Sequence, residues 1–124
     1  MDNARDTHEG YLSLAVAIAR EHMEAGAGGP FGAVIVRENA VIGRGWNRVT
    51  SDHDPTAHAE ISAVRDACRN VGHFSLEGAV IYTSCEPCPM CLSAIWWARI
   101  QTIYFASDRD DAARIGFDDA ALYR

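Results

Sequence analysis

The sequence predicts an α/β fold of three layers, in which helices cover both faces of a mixed central sheet that starts with an antiparallel hairpin. Helix and strand patterns alternate in the order helix, two strands, helix, strand, helix, strand, short helix. A strand, a helix and a further strand in succession imply a right-handed parallel crossover. Because the 124 residues contain no internal repeat or linker, we expect a single domain over residues 1–124.

A helix and a hairpin are predicted for the first part of the chain. Apolar residues recur at helical spacing over residues 9–25, and the glycine-rich stretch from Gly26 ends this helix. Two β-branched apolar segments follow at 31–36 and 41–47, with Glu38-Asn39 as the turn between them. The predicted inward face of the helix consists of Leu12, Ala15, Val16, Ala19 and Met23.

Helices and strands alternate in the second part. Asp54-Pro55-Thr56 introduces a helix that Gly72 ends, and Pro87 suits the first position of the next helix, where proline is tolerated. The inward face of the earlier helix is predicted to consist of Ile61, Val64, Ala67 and Cys68. The predicted bounds are helix to about 71, strand 80–83, helix 87–99, strand 102–106 and a short last helix at 110–115.

Composition excludes several classes of protein. No apolar run approaches the roughly 18 residues of a membrane span, and the first residues lack the apolar stretch of a secretory signal, so we expect a cytoplasmic protein. The net charge is -6, and all 11 basic residues are arginines that are scattered along the chain. This pattern argues against a nucleic-acid partner, which requires a concentrated basic surface.

Two short motifs predict a zinc site. One is His58-Ala59-Glu60, and the other is Pro87-Cys88-Pro89-Met90-Cys91. Zinc prefers nitrogen and sulfur ligands, and catalytic sites use three protein ligands and leave the fourth position to water. Cys88 and Cys91 are three residues apart and share a face in the first turn of a helix, where the helix dipole favours thiolates. We therefore predict one zinc ion per chain.

Glu60 is the predicted proton carrier of this site. It follows His58 by two residues, so both side chains can serve one metal only if the metal lies over the end of their helix. A carboxylate in that place can take a proton from water and pass it on. The alternative is a closed structural site in which Cys85 is the fourth ligand and Glu60 lies on the surface.

At these residues the chain resembles the cytidine deaminase superfamily, and in particular bacterial guanine deaminases. The combination of His-x-Glu with Pro-Cys-x-x-Cys is a signature of zinc deaminases. The likeness extends over nearly the whole chain and includes the stretches 54–60, 83–91, 28–33, Asn47 and Gly116-Phe117-Asp118-Asp119. It implies a cytidine-deaminase-like fold and zinc ligands His58, Cys88 and Cys91.

The resemblance also implies a reaction, the hydrolysis of guanine to xanthine and ammonia. Glu60 would shuttle protons, and Asp119 would contact the amino group of the purine or assist the proton relay. Asn47 would hydrogen-bond the purine, Phe31 would line the face of its ring, and Ala57 is a further predicted substrate contact. From the residues alone, Asn47 also fits a turn at a strand end and Asp119 a solvated loop acid.

The family implies a homodimer and a further segment. Bacterial guanine deaminases continue beyond the element that matches 121–124 into another strand and helices, and this C-terminal segment closes the active site of the partner subunit. We expect that strand and lid to be missing here, since the chain stops at Arg124. Trp96 and Trp97 point in two helical directions, which predicts core packing for either ring or a partner contact for one.

Two groups of rival functions fit the same residues. The metal motifs do not separate guanine from another nucleobase, a nucleoside or adenosine in tRNA. A non-enzymatic binding module that zinc stabilises is the rival from a different class, and a fourth protein ligand at Cys85 would favour it.

Overall fold

The computed structural model describes residues 8–24, 26 and 30–107, apart from the side chain of Glu24. Within these ranges it contains four helices and four strands. The predicted short helix at 110–115 and Asp119 lie outside the described residues. The elements are α1 (His8–Glu24), β1 (Gly32–Arg37), β2 (Ala40–Trp46), α2 (Val49–Asp52), α3 (Ala59–Val71), β3 (Val80–Cys85), α4 (Pro89–Trp97) and β4 (Thr102–Ser107).

The four strands form one mixed sheet in the order β2-β1-β3-β4. β1 runs antiparallel to both of its neighbours, whereas β3 and β4 run parallel and are joined through α4. Glu38 and Asn39, at the tip of the β1–β2 hairpin, have φ angles of 52° and 62°. Two successive left-handed residues give the turn that matches the twist of a hairpin. The predicted hairpin and parallel crossover are both confirmed.

Alternate residues of the sheet face two separate cores. Ile35 and Ile81 are buried with the alanines of α3, whereas Val34 and Tyr82 are buried against α1. This alternation is the two-residue period of a strand whose faces are both covered. The three-layer prediction is therefore confirmed. Within the described ranges, no helix combines the length and the apolar character that a membrane crossing requires.

Glycines bring α3 close to the hairpin. A Cβ atom at Gly45 would lie 2.2 Å from the carbonyl oxygen of Ala59 and 2.3 Å from the backbone nitrogen of Ala63. Only a residue without a side chain fits between the strand and the helix at that distance. The inward face of α3 is consequently lined by small residues, and its fully buried apolar side chains are Ala59, Ala63 and Ala67. Of the predicted inward residues of α3, Ala67 is fully buried, whereas Ile61, Val64 and Cys68 are half-buried.

Three details of the predicted elements are wrong. α4 begins at Pro89 with Cys88 as its N-cap, so Pro89 rather than Pro87 occupies the first helical position. The four-residue helix α2 was not predicted, because its sequence carries no apolar period. The rings of Trp96 and Trp97 do not pack in the core, since these residues are 63% and 66% exposed.

Candidate metal centre

The predicted site residues flank one edge of the sheet. Because β1 is antiparallel to β2 and β3, its first residue lies at the edge where β2 and β3 end, and β4 ends there too. Phe31 directly precedes β1, Asn47 directly follows β2, and Cys88 follows β3 by three residues. The carboxyl ends of parallel strands are a common position for ligand sites in α/β folds.

His58, Cys88 and Cys91 come together at this edge. Their ligand atoms all lie within 4.8 Å of one another. The Nδ1 atom of His58 is 3.6 Å from Sγ of Cys88 and 3.5 Å from Sγ of Cys91. Cys85 does not belong to this group, although it lies three residues before Cys88. A closed site with four protein ligands is therefore not what the described residues form.

Local chain geometry explains how two remote segments deliver these atoms. His58 is the N-cap of α3 and Cys88 is the N-cap of α4, and both have extended backbones with ψ angles of 161° and 169°. Neither side chain caps its own helix, so each can point away from it. The carbonyl oxygens of the two caps accept the first helical hydrogen bonds, from Ser62 and Leu92 at 2.9 Å. Two helix N-termini, with their positive dipole ends, thus meet at one point.

Glu60 is a buried carboxyl next to the ligands. It lies in the first turn of α3 and is 8% exposed. Burial raises the pKa of Glu60 to about 7, and the charge of Cys88 acts in the same direction. A pKa near neutrality suits a group that both accepts and donates protons.

The pKa values of the two thiols are shifted in opposite directions. The hydrogen bond from Cys91 lowers the pKa of Cys88 to about 4, and His58 contributes to this lowering. The same hydrogen bond raises the pKa of Cys91, and burial and the carboxylate of Glu60 raise it further. Two thiolates and a carboxylate side by side repel one another, and a divalent cation would relieve that repulsion. One nitrogen and two sulfur donors are also the ligand types that zinc prefers, so the residues fit zinc.

The predicted substrate contacts lie around the hairpin and the segment before α3. The backbone N–H of Asn47 donates to the carbonyl oxygen of Phe31 at 3.2 Å, and Oδ1 of Asn47 accepts from Val49 N–H at 3.0 Å. The carbonyl oxygen of Ala57 accepts from Arg48 N–H at 2.8 Å, which joins the segment after β2 to the residue before His58. Direct contact of Phe31, Asn47 or Ala57 with a substrate stays a prediction.

Sequence analysis assigned no role to the hydroxyl residues at the end of β3. Thr83 is 1% exposed, and its hydroxyl donates to the carbonyl oxygen of Cys85 at 2.7 Å. Ser84 accepts a hydrogen bond from Gly32 N–H at 2.9 Å through its Oγ atom. The signal that could have found them is a pair of hydroxyl residues at a strand end, directly before a metal-binding motif.

A three-layer fold that gathers an imidazole, two thiols and a buried carboxyl at the carboxyl edge of its sheet defines the chain as a zinc-binding α/β enzyme domain. A family model, described as the cytidine and deoxycytidylate deaminase zinc-binding region, matches residues 5–107. The chain belongs to this family, and the predicted resemblance is confirmed. It is a hydrolase that acts on C–N bonds with one zinc ion per chain.

Individual relatives indicate the nearer branches of the family. A guanine deaminase from Bacillus subtilis is 53% identical over 117 residues, which are 94% of this chain and 75% of that protein. The X-ray structure of guanine deaminase from Bacillus subtilis superposes with a TM-score of 0.92, over 94% of this chain and 74% of that one. A guanine deaminase structure from Nitrosomonas europaea has 30% identity and a TM-score of 0.82, over 90% and 64% of the two chains. A tRNA-specific adenosine deaminase from Buchnera aphidicola subsp. Schizaphis graminum is 37% identical over 118 residues, which are 94% of this chain and 76% of that protein.

Proposed function

We propose that the chain hydrolyses the amino group of a purine base, converting guanine and water to xanthine and ammonia. The observation that carries this proposal is a buried carboxyl, Glu60, beside three ligand atoms that fit zinc. The guanine deaminase from Bacillus subtilis, at 53% identity, supports the choice of guanine.

Zinc, when held by His58, Cys88 and Cys91, supplies Lewis acidity and lowers the pKa of water. Glu60 takes a proton from the attacking water and delivers it to a ring nitrogen, and a second proton follows to the departing amine. A C–O bond replaces the C–N bond. One of the two transferred protons stays on the ring nitrogen of xanthine, and the other leaves with the amine as ammonia. The pKa of about 7 for Glu60 supports this exchange, since the group can hold or release a proton near neutral pH.

Phe31, Asn47, Ala57 and Asp119 complete the proposed site as the substrate contacts. Oδ1 of Asn47 is engaged by Val49, which leaves the Nδ2 hydrogens of Asn47 as the group that donates to an acceptor on the purine. Phe31 is half-buried and packs against the core, so it can present a fixed apolar surface to a ring. Asp119 is proposed as a second proton relay on the family resemblance alone.

We further propose that the protein acts as a homodimer. Trp96 and Trp97 are more than half exposed, and the guanidinium of Arg99 lies 5.1 and 5.8 Å from the centres of their rings. Exposed aromatic residues of this kind are enriched where protein surfaces meet. Analytical ultracentrifugation would test the dimer, and a monomer at micromolar concentration would contradict it. The cytoplasmic location stays a prediction.

Replacement of Glu60 tests the proton carrier. Glu60→Gln is expected to keep one zinc ion per chain and to lower kcat for guanine by roughly 10²- to 10⁴-fold, because the amide cannot carry the proton. Zinc content by atomic emission and ammonia release by a coupled assay would be measured together. Glu77→Gln is the matched control, since Glu77 is exposed on the segment before β3. Full turnover by the Glu60 variant would remove the assignment.

A substrate panel tests the choice of guanine. Ammonia release from guanine, guanosine, adenine, cytosine and a tRNA anticodon stem-loop would be compared at low and high salt. The tRNA-specific adenosine deaminase from Buchnera aphidicola makes the stem-loop the necessary second candidate. Salt-sensitive turnover of the stem-loop without turnover of guanine would reverse the proposal, because binding to a phosphate backbone weakens with salt.

A further inference from the structure

The ladder between β1 and β3 ends in a side-chain hydrogen bond. Ala33 and Thr83 are the last backbone pair of this ladder at the site edge. At the next position, Gly32 N–H donates to Oγ of Ser84 at 2.9 Å, so a hydroxyl takes the place of a backbone acceptor. This hydrogen bond joins two segments that are 52 residues apart and is part-buried.

The β3 side of this bond is held by other contacts. Cys85 pairs with Ser107 of β4, and Glu86 N–H donates to the carbonyl oxygen of Ser107 at 2.6 Å. The hydroxyl of Thr83 donates to the carbonyl oxygen of Cys85. The segment that leads to Cys88 is therefore anchored on β4 independently of β1.

On the β1 side of the hydrogen bond lies Phe31, the proposed contact for the ring of the substrate. Phe31 directly precedes Gly32, and Gly32 is buried, with no room for a side chain because a Cβ atom would lie 2.3 Å from the carbonyl oxygen of Ala15. The hydrogen bond to Ser84 thus connects the residue next to Phe31 with the anchored segment next to the metal ligands.

We propose that Ser84 is a positioning residue, whose hydroxyl oxygen sets the place of Phe31 relative to the metal centre by accepting Gly32 N–H. The proposal takes its substrate from the proposed function, whereas the hydrogen bond does not depend on that function. Phe31 stays bound to Asn47 N–H and Gly32 stays paired with Trp46 of β2. Since the metal segment has its own anchors on β4, loss of the bond lets this end of the hairpin, with Phe31, shift relative to the zinc ligands, which stay in place.

Removal of the hydroxyl is expected to change substrate binding more than turnover. In Ser84→Ala the buried Gly32 N–H has no acceptor. Such a loss typically lowers the equilibrium constant for the conformation that contained the hydrogen bond by about tenfold. We expect KM for guanine to rise by about tenfold, kcat to stay within about threefold and zinc to stay at one ion per chain. Ser84→Thr keeps the oxygen and is expected to restore KM.

Two further variants make the test specific. Ser84→Cys keeps the size of the side chain but offers only a weak acceptor, and it carries the test if the alanine variant does not fold. Asp66→Ala is the matched control. Oδ2 of Asp66 in α3 accepts a hydrogen bond from Arg44 N–H of β2 at 2.9 Å, so this variant also removes a side-chain acceptor from a strand N–H, but away from the zinc ligands. The control is expected to leave KM unchanged.

Amide hydrogen exchange of Gly32, followed by NMR, tests the bond without any substrate. We expect exchange about tenfold faster in Ser84→Ala and Ser84→Cys than in the parent and in Ser84→Thr. Unchanged exchange, unchanged KM, or a KM that rises only in proportion to lost zinc would each overturn the proposal. If the parent protein does not turn over guanine, the proposed function fails, while the exchange rates still decide whether Ser84 holds Gly32 N–H in place.

Discussion

Glu60 and the two cysteines owe their chemistry to one another. Burial raises the pKa of the carboxyl, while the hydrogen bond between the thiols lowers the pKa of Cys88 and raises the pKa of Cys91. With a pKa of about 7, Glu60 is the member of this group that titrates nearest to physiological pH. In the metal-free protein, this buried acid should make the free energy of unfolding depend on pH.

The metal-free protein should lose stability as pH rises from about 4.5 to about 7. The pKa of Glu60 is about 7 in the folded state, against 4.5 as the ordinary value, so the folded protein binds more protons in this window. The contribution is fully present below pH 4.5 and disappears as pH rises through 7, and it amounts to at most about 3 kcal/mol. Urea unfolding at a series of pH values would measure it. The difference between the parent and Glu60→Gln gives the part of the pH dependence that requires Glu60, including its effect on Cys91, and parallel curves would contradict the shift.

Among the elements, α3 and the hairpin depend most on close contact. Gly43 and Gly45 of β2 face Ala59, Ala63 and Ala67 of α3, and a Cβ atom at either glycine would lie less than 3 Å from the helix backbone. Small residues on both sides allow the helix to lie near the strands, and the N-terminus of the helix carries His58. The position of a metal ligand therefore depends on residues that have almost no side chain.

Gly45→Ala should destabilise the protein by about 2–3 kcal/mol, because the added methyl group overlaps the backbone of α3, which cannot yield as a side chain would. Chemical denaturation would give the change in the free energy of unfolding. Gly72→Ala is the control for backbone strain, since Gly72 has a φ of 71° and open space around it, and about 1 kcal/mol is expected there. An equal or smaller loss for Gly45→Ala would mean that the contact between β2 and α3 is looser than the structure has it.

At the scale of the whole molecule, the metal centre connects the starts of helices α3 and α4. His58 comes from the start of α3, and Cys88 and Cys91 come from the start of α4, some 30 residues later. A cation bound by all three would connect two helices that share one hydrophobic core, to which α3 contributes alanines and α4 contributes Ile95. A ligand that binds the folded state alone stabilises it by mass action.

Removal of zinc should lower Tm by roughly 10 °C, compared with protein in zinc at about 100 times its Kd, since such binding contributes about 2.7 kcal/mol. Differential scanning calorimetry with and without a chelator would measure the shift. Cys88→Ser should abolish most of it. Cys85→Ser should keep the whole shift, because Cys85 lies outside the ligand group, and a loss there would revive the closed four-ligand site.

Within the described residues, local pattern was sufficient for the order of the elements other than α2, for the hairpin and for the three residues of the candidate metal group. Apolar period, turn residues and ligand spacing depend only on residues that are near one another in sequence, so they do not change when the chain folds. The pattern failed where two local signals competed. Both Pro87 and Pro89 suit a helix start, and the structure begins α4 at Pro89 because Cys88 takes the extended cap position.

By itself, the sequence of this protein determined an α/β domain with one imidazole and two thiols suited to zinc, since those conclusions depend on residue types and short spacings. Only the tertiary structure decided that Glu60 is buried, that Trp96 and Trp97 are exposed, and that Ser84 accepts a hydrogen bond from Gly32. Burial and strand register depend on partners tens of residues away, and no periodicity within one segment records which partner will cover it.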